Sequence, residues 1–332
     1  MRRREFLTGL TITGAAGVLG VDPRRAEAEP PPETTRLRMV RIPSICQSPQ
    51  YIAEELLRAE GFTDVQYITK RGTEDIEKGL ASGEIDINGH FAAPVILRIE
   101  AGDPVVVLAG EHAGCFELFG TDRIRSIRDL KGKTLAVPAL DSSRYVFLAI
   151  MLAYVGLDIH KDVKFVLQPG HESMRQLAEG RIDAYLGFPP EPAEFREKKI
   201  GHVVVDSAVD RPWSQYFCCM LTGHREFVRK HPIATKRALR AIVKAANICA
   251  IDPGRVARFL VDKSFTANYG YALETLKKLP YGKWRDFDAE DTLRFYALRL
   301  NEVGMIKSSP QRILAQGTDW RFLKELRQEL KA

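Results

Sequence analysis

Two heptapeptides that agree at five of seven positions lie about 97 residues apart in the chain. They are Leu80–Asp86 (LASGEID) and Leu177–Asp183 (LAEGRID). In both, a glycine ends a run with helical hydrophobic spacing, and Ile-Asp leads into an apolar run typical of a buried strand. The sequence therefore predicts the same helix-to-strand junction twice, with a left-handed glycine at the end of each helix.

The elements around each heptapeptide repeat as well. The first copy has predicted strands at 37–42, 64–68 and from 85, and the second has them at 134–137, 162–166 and from 182. A predicted helix separates successive strands, which gives two βαβαβ units. We therefore expect an α/β protein with two lobes, each a mostly parallel sheet flanked by helices. From residue 232 onward the hydrophobic spacing is helical.

Length and charge narrow the possible classes of protein. The chain has 332 residues, 45% hydrophobic and 28% charged, which is typical of a globular protein long enough for two cores. The net charge is +6, but the first 28 residues carry five arginines against three acidic residues. The remaining excess is small and scattered, so a nucleic-acid-binding face is not expected.

The first 28 residues have the pattern of an export signal: arginines, a short uncharged run and a small-residue cleavage site ending at Ala28. The uncharged run is 16 residues long, below the ~20 that a membrane-spanning helix needs. Arg3-Arg4 followed by Phe-Leu resembles a twin-arginine signal, with an ordinary secretory signal as the alternative. We expect a periplasmic chain cleaved near Ala28, with residues 29–35 as a proline-rich linker.

The duplicated Gly-x-Ile-Asp motif resembles the periplasmic solute-binding proteins of ABC importers. The segments 101–105 (AGDPV), 127–137 (IRDLKGKTLAV) and 227–232 (FVRKHP) add to this resemblance, which extends over residues 36–328. The branch it resembles is the nitrate/sulfonate/taurine group, which is similar in fold to the thiamine-pyrimidine synthases. The resemblance implies a type II periplasmic-binding-protein fold with a ligand cleft between the lobes.

The same resemblance implies where the chain passes between lobes. Lobe 1 would comprise residues 36–120 plus 222–332, and lobe 2 residues 121–221. The chain would cross between them at 118–124 and 216–223. Such crossings act as hinges that let two lobes close around a ligand.

Parallel sheets bind ligands beyond the carboxyl ends of their strands, so the loops at those ends are the candidate site. The candidate ligand-binding residues are Gln47, Ser48, His90, Phe91, His112, Cys115, Ser142, Ser143, Arg144, Phe188, Glu191 and Trp213. Arg144 could offer a bidentate fork to an anion. Glu191 opposite it would instead favour an amine-bearing or zwitterionic ligand. The serines could also serve only as helix N-caps, and the aromatic residues only as packing.

Motifs of catalysis are missing from the sequence. It contains no nucleophile elbow, P-loop, HExxH or GxGxxG after a strand. The thiamine-pyrimidine synthases carry a cysteine-rich run, whereas the comparable stretch here has only Cys218-Cys219. His90, His112 and Cys115 have the residue types of a metal site but not the spacing of a strong zinc motif. We therefore expect no catalytic residues, no resident metal and no cofactor.

The chain has five cysteines, at positions 46, 115, 218, 219 and 249. An odd number cannot pair completely within one chain, and no Cys-x-x-Cys occurs. We expect them to be buried thiols that pack as small hydrophobic side chains. On a regular strand, Cys218 and Cys219 would point to opposite faces.

These observations favour a monomeric receptor that captures a small polar solute for a membrane permease of the ABC type. The preferred solute is an anionic organic molecule of the sulfonate, taurine or nitrate kind, and no nucleic-acid partner is expected. Three alternatives stay open: a binding protein for a thiamine-related pyrimidine precursor, an enzyme or metal-binding protein on the same fold, and a ligand-sensing partner of a signalling receptor.

Overall fold

The repeated units fold into alternating strands and helices in the computed structural model, which describes residues 29–42, 44–70 and 72–330. The predicted export signal at 1–28 lies outside the described residues. The strands are β1 (Arg36–Arg41), β2 (Asp64–Thr69), β3 (Ile87–Phe91), β4 (Val105–Ala113), β5 (Glu117–Gly120), β6 (Thr134–Val137), β7 (Lys164–Leu167), β8 (Ala184–Gly187), β9 (His202–Asp206) and β10 (Phe217–His224).

Helices follow most of these strands and form the whole C-terminal part. They are α1 (Ser48–Ile52), α2 (Glu54–Ala59), α3 (Thr73–Ser82), α4 (Ala92–Glu100), α5 (Ser143–Tyr154), α6 (Gly170–Ala178), α7 (Glu191–Glu197), α8 (Arg225–Lys230), α9 (Pro232–Ile251), α10 (Pro253–Asp262), α11 (Tyr269–Lys278), α12 (Ala289–Glu302), α13 (Pro310–Gly317) and α14 (Arg321–Glu329). Short 3-10 helices lie at Ile45–Gln47, Ile127–Leu130, Trp213–Gln215 and Tyr281–Arg285. None of the described helices is long and apolar enough to cross a membrane.

The two copies of the heptapeptide adopt the same local structure. Gly83 and Gly180 have φ angles of +75° and +68°, in the left-handed region that favours glycine, and they follow α3 and α6. The predicted glycine-terminated helices are thereby confirmed.

The aspartate of each copy connects the third strand of its unit to the first. Asp86 accepts a hydrogen bond from the backbone N–H of Arg38 at 2.7 Å, and its own N–H donates to the Arg38 carbonyl at 2.9 Å. Asp183 accepts from the N–H of Thr134 at 3.0 Å and donates to the Thr134 carbonyl at 2.8 Å. The repeated Ile-Asp pair therefore has a structural role in both units.

The strands form a mixed arrangement of parallel and antiparallel pairs. Within the repeated units, β1 pairs parallel with β2, and β6 lies parallel between β7 and β8. The later strands add antiparallel pairs: β10 lies between β3 and β4, and β5 lies between β8 and β9. The expected α/β fold, with sheets flanked by helices, is confirmed.

The chain changes sheet slightly earlier than the predicted boundaries. The strand from Glu117 to Gly120 pairs with β8 and β9, although the prediction assigned residues up to 120 to lobe 1. Likewise β10 begins at Phe217 and pairs with β3 and β4, although the prediction assigned residues up to 221 to lobe 2. The points at which the chain passes from one sheet to the other are set by hydrogen bonding between the strands, which the family resemblance does not specify. The division into two lobes that move as units stays a prediction.

Candidate ligand-binding site

A cavity of about 520 Å³, here called the central cavity, opens where the repeated strands end. Its walls come from segments at the carboxyl ends of β1, β2 and β3 on one side and of β6, β7 and β8 on the other. This is the position at which open α/β sheets bind ligands. The volume lies within the range of small-molecule sites, roughly 300–1,000 Å³.

Nine of the twelve candidate residues predicted from the sequence line the central cavity. They are Gln47, His90, Phe91, Cys115, Ser142, Ser143, Arg144, Phe188 and Glu191. Their contact with a solute stays a prediction.

The other three candidates do not line it. Ser48 is the first residue of α1, and its hydroxyl donates to the Ile45 carbonyl inside a buried turn. His112 is fully buried within β4. The Trp213 ring packs edge-on against the ring of Phe147, with centroids 5.3 Å apart. Ser48 and Trp213 are therefore engaged by neighbouring groups, and His112 is covered by the surrounding protein.

Arg144 and Glu191 form an ion pair in the cavity wall. A guanidinium nitrogen of Arg144 lies 2.7 Å from Glu191 Oε2, and its Nε donates to the Leu186 carbonyl at 3.0 Å. The Tyr185 hydroxyl donates to the other Glu191 oxygen at 3.0 Å. The guanidinium also lies over the Phe188 ring, 4.3 Å from its centroid. Both charged groups are therefore held by several partners.

This ion pair changes the charge that a ligand would meet. Arg144 is the one Lys or Arg among the described residues that line the cavity, and Glu191 already balances it. Asp75 and Asp141 also line the cavity, and both are exposed. The preference for an anionic solute, which rested on an available Arg144, therefore loses its main support.

The N-termini of α3 and α5 meet beside the cavity. Ser142 caps α5, since its hydroxyl accepts from the N–H of Tyr145 at 3.3 Å. The hydroxyl of Ser143 lies 2.9 Å from that of Thr73, the first residue of α3. The alternative role of Ser142 as a helix cap is thus observed, and Ser143 joins the two halves of the cavity.

Aromatic rings form an apolar wall. The centroids of Phe91 and Phe116 are 5.1 Å apart, and those of Phe116 and Phe188 are 5.7 Å apart. Tilted and edge-on arrangements are favoured packing geometries of aromatic rings, and Phe91 and Phe116 are themselves almost fully buried. Phe188, which is half-buried, is the more exposed ring of the three.

Three thiols and an imidazole lie together at the cavity floor. The Sγ atoms of Cys46, Cys115 and Cys219 and a ring nitrogen of His112 lie within 4.8 Å of one another, and we call this set the thiol cluster. Hydrogen bonds from Cys115 and Cys219 hold the pKa of the Cys46 thiol well below its usual value. Cys218 lies beside the cluster, with its Sγ 3.0 Å from that of Cys115.

The position of Cys218 corrects one expectation. The pairing of β10 with β4 is irregular around Cys218, because Phe217 and Cys219 pair with Ala113 and His112, which are adjacent. This bulge lets both cysteines approach Cys115 instead of pointing to opposite faces. The expectation that all five cysteines are buried and free is confirmed.

Sequence reasoning missed several lining residues. Thr73 and Asp75 lie in the segment after β2, and Gly170 follows β7. Both segments follow the carboxyl ends of strands, so the position of β2 and β7 in the sequence is the signal that points to them. A glycine is needed at position 170 because the Glu191 side chain approaches its backbone closely: a Cβ there would lie 2.3 Å from Glu191 Oε1.

A sequence profile of the NMT1-like family matches residues 30–259, more than half of the chain. The chain belongs to the NMT1-like family. A search among curated proteins finds no match for it.

Solved structures share the fold of this NMT1-like chain. The periplasmic nitrate-binding protein NrtA from Synechocystis PCC 6803 is similar with a TM-score of 0.73 and 16% identity, covering 91% of this chain and 90% of that one. The alkanesulfonate-binding protein SsuA from Xanthomonas axonopodis pv. citri, bound to MOPS, has a TM-score of 0.68 and 16% identity, covering 88% and 99%. The ligand-binding component of an ABC-type import system from Staphylococcus aureus, with zinc bound, has a TM-score of 0.70 and 13% identity, covering 88% and 99%.

These comparisons confirm the resemblance to nitrate- and sulfonate-type solute-binding proteins. At such low identities the structural likeness establishes the periplasmic-binding-protein fold alone. The choice of solute must be argued from the cavity of this NMT1-like chain.

Proposed function

We propose that the protein is the substrate-binding component of an ABC-type import system and that its solute has a flat apolar body with an amine group. The observation that carries the choice of solute is the Arg144–Glu191 ion pair, which leaves the lining without an available Lys or Arg among the described residues. The N–H groups of such an amine would donate hydrogen bonds to the carboxylates of Asp75 or Asp141.

Cavity size and wall chemistry support the same class of solute. A nitrate ion would fill only a small part of a cavity of about 520 Å³. A ring packed against the half-buried Phe188 would bury apolar area, and the Gln47 amide could fix its orientation. An aminopyrimidine has these features, so the pyrimidine alternative is now preferred to a sulfonate or nitrate.

The remaining parts of the proposal rest on the family and the signal pattern. The similar structures include a periplasmic nitrate-binding protein and an alkanesulfonate-binding protein, which supports a periplasmic location and a membrane permease as partner. We propose export by the twin-arginine route, a monomeric state, closure of two lobes, and a binding role rather than catalysis.

Titration calorimetry with matched solutes tests the proposal. We expect 4-aminopyrimidine to bind at least about tenfold more tightly than pyrimidine, and taurine more tightly than ethanesulfonate, since each pair differs by one amine. Asp75→Asn should reduce the difference within each pair. Asp286→Asn, at an exposed position outside the cavity lining, is the matched control and should leave it unchanged.

Two results would contradict the proposal. Tighter binding of ethanesulfonate and nitrate than of the amine-bearing solutes would restore the anionic class. Chemical conversion of a bound solute, followed by mass spectrometry, would replace the binding role with catalysis.

A further inference from the structure

The thiol cluster brings four potential metal ligands together from distant parts of the chain. Cys46 lies in the short helix after β1, His112 in β4, Cys115 just after β4, and Cys219 in β10. The donor atoms lie within 4.8 Å of one another, and all four residues are buried. Such convergence could not be read from the spacing in the sequence, where only His112 and Cys115 are close.

One ring nitrogen of the buried His112 imidazole is left without a geometric hydrogen-bond partner in the part of the chain that the structure describes. Its Nδ1 lies 3.3 Å from the Ala113 carbonyl, to which an Nδ1–H donates, and its Nε2 has no hydrogen-bond partner among the described residues although the side chain is fully buried. A buried nitrogen left without a partner costs free energy. A backbone carbonyl that fixes one ring nitrogen while the other faces a metal is the usual outer shell of a histidine ligand.

Further polar atoms without partners lie beside the cluster. Both carboxylate oxygens of Glu111 and Oε1 of Gln47 are buried and have no hydrogen-bond partner among the described residues. Glu111 and Gln47 are chain neighbours of His112 and Cys46, and both approach Gly89, where a Cβ would lie 2.3 Å and 2.9 Å from their oxygens. The surroundings of the cluster are therefore more polar than a packed core requires.

We propose that Cys46, His112, Cys115 and Cys219 bind one thiophilic metal ion, Zn²⁺ or Cu⁺, at the floor of the central cavity. Three sulfurs and one imidazole nitrogen form a common tetrahedral set for zinc, and soft thiolates also select copper(I). With Zn–S bonds of about 2.3 Å, tetrahedral sulfurs lie roughly 3.8 Å apart, so donor atoms within 4.8 Å need only small shifts.

Binding of the ion would displace the protons of the three thiols. Each thiol that coordinates releases a proton to solvent, and the metal keeps its oxidation state, so no electron donor or acceptor is needed. Cys46, Cys115 and Cys219 also line the cavity, which places the ion within reach of a bound solute. The inference does not depend on the proposed solute class, and its test has separate readouts.

Metal analysis of the full chain, purified without a histidine tag, tests the inference. We expect about one zinc or copper ion per chain by plasma mass spectrometry. Cys219→Ser and His112→Ala should weaken metal retention in chelator competition by about a hundredfold or more. Cys249→Ser is the matched control, because Cys249 is also buried and free but lies outside the cluster.

Two measurements on the unmodified protein cover the case in which a variant fails to fold. Cobalt(II) loading should give thiolate-to-metal charge-transfer absorption, and a strong chelator should lower the melting temperature. Metal-free protein whose five thiols all react on denaturation would overturn the inference. So would a Cys115–Cys218 disulfide that persists under metal loading, or equal metal retention by the wild type and both cluster variants.

Discussion

The charge of the central cavity depends on the pairing of two side chains. Glu191→Gln removes a carboxylate but keeps the size of the side chain, so the Arg144 guanidinium loses its counter-charge. We expect the affinity for ethanesulfonate to rise about tenfold, or ~1.4 kcal/mol, and the affinity for amine-bearing solutes to fall. Titration calorimetry of the variant and the wild type measures both changes.

Glu194→Gln is the control for this prediction. Glu194 lies on the same helix, α7, but binds Lys198 at 2.5 Å on the surface, so its replacement should leave both affinities unchanged. Equal effects of the two substitutions, or no gain for the sulfonate, would show that the ion pair does not set the preference.

Arg144 and Glu191 could be assigned to the cavity from the sequence, because each lies at the start of a helix that follows a strand. Their bond to each other could not be predicted, since it depends on how α5 and α7 are placed. The thiol cluster illustrates the same limit. Cys219 pairs with His112 at a β-bulge between strands distant in sequence, and Cys46 joins them from the segment after β1, which no local pattern reveals.

The N-terminus of the longest described helix, α9, is held by a residue from the segment predicted as a linker. Glu33 accepts the backbone N–H groups of Ile233 at 2.9 Å and Ala234 at 2.8 Å. Burial raises its pKa, but these bonds and the nearby His231 outweigh that effect and lower the pKa below 4.5. The segment therefore has a structural role as a helix cap.

Glu33→Gln should lower the free energy of unfolding by about 0.5–1 kcal/mol near neutral pH. A carboxylate with a lowered pKa in the folded protein stabilises it above the unfolded pKa, and this contribution disappears as the pH falls through the folded pKa. The difference in free energy of unfolding between variant and wild type should therefore reach its maximum above about pH 4.5 and decrease below that pH. Urea denaturation from pH 7 to pH 3 measures it.

The exposed Glu55 provides the control for the cap. Glu55→Gln should change the stability less, since Glu55 makes no equivalent bonds to the start of α9. A difference between Glu33→Gln and wild type that stays constant as the pH falls would contradict an effect of the charged carboxylate.

Helices and strands were predicted best where glycine and hydrophobic spacing agree. Gly83 and Gly180 mark helix ends that the structure confirms, and α9 begins at Pro232, where the helical hydrophobic spacing begins. The positions at which the chain passes from one sheet to another were predicted less well, because antiparallel pairing between strands distant in sequence decides them. Gly114 shows the reason: it has a φ of +48°, and a Cβ there would lie 2.3 Å from Ala208, far away in sequence.

Ion pairs connect the C-terminal helices to the five-stranded sheet. Glu117 of β5 is buried and binds both Arg196 of α7 and Lys278 of α11. Lys278 also lies 2.6 Å from Asp206 at the end of β9. The Thr73–Ser143 contact beside the cavity likewise joins α3 to α5.

Lys278→Met should destabilise the protein and favour opening, because Glu117 and Asp206 lose a shared cation. We expect the free energy of unfolding to fall by about 1–3 kcal/mol, since Arg196 still partners Glu117 and Lys278 is partly exposed. Small-angle X-ray scattering should show a larger radius of gyration without solute and a return to the wild-type value with it. Lys277→Met, at the exposed neighbouring position of α11, is the control. If both variants matched the wild type in stability and scattering, these ion pairs would have no part in closure.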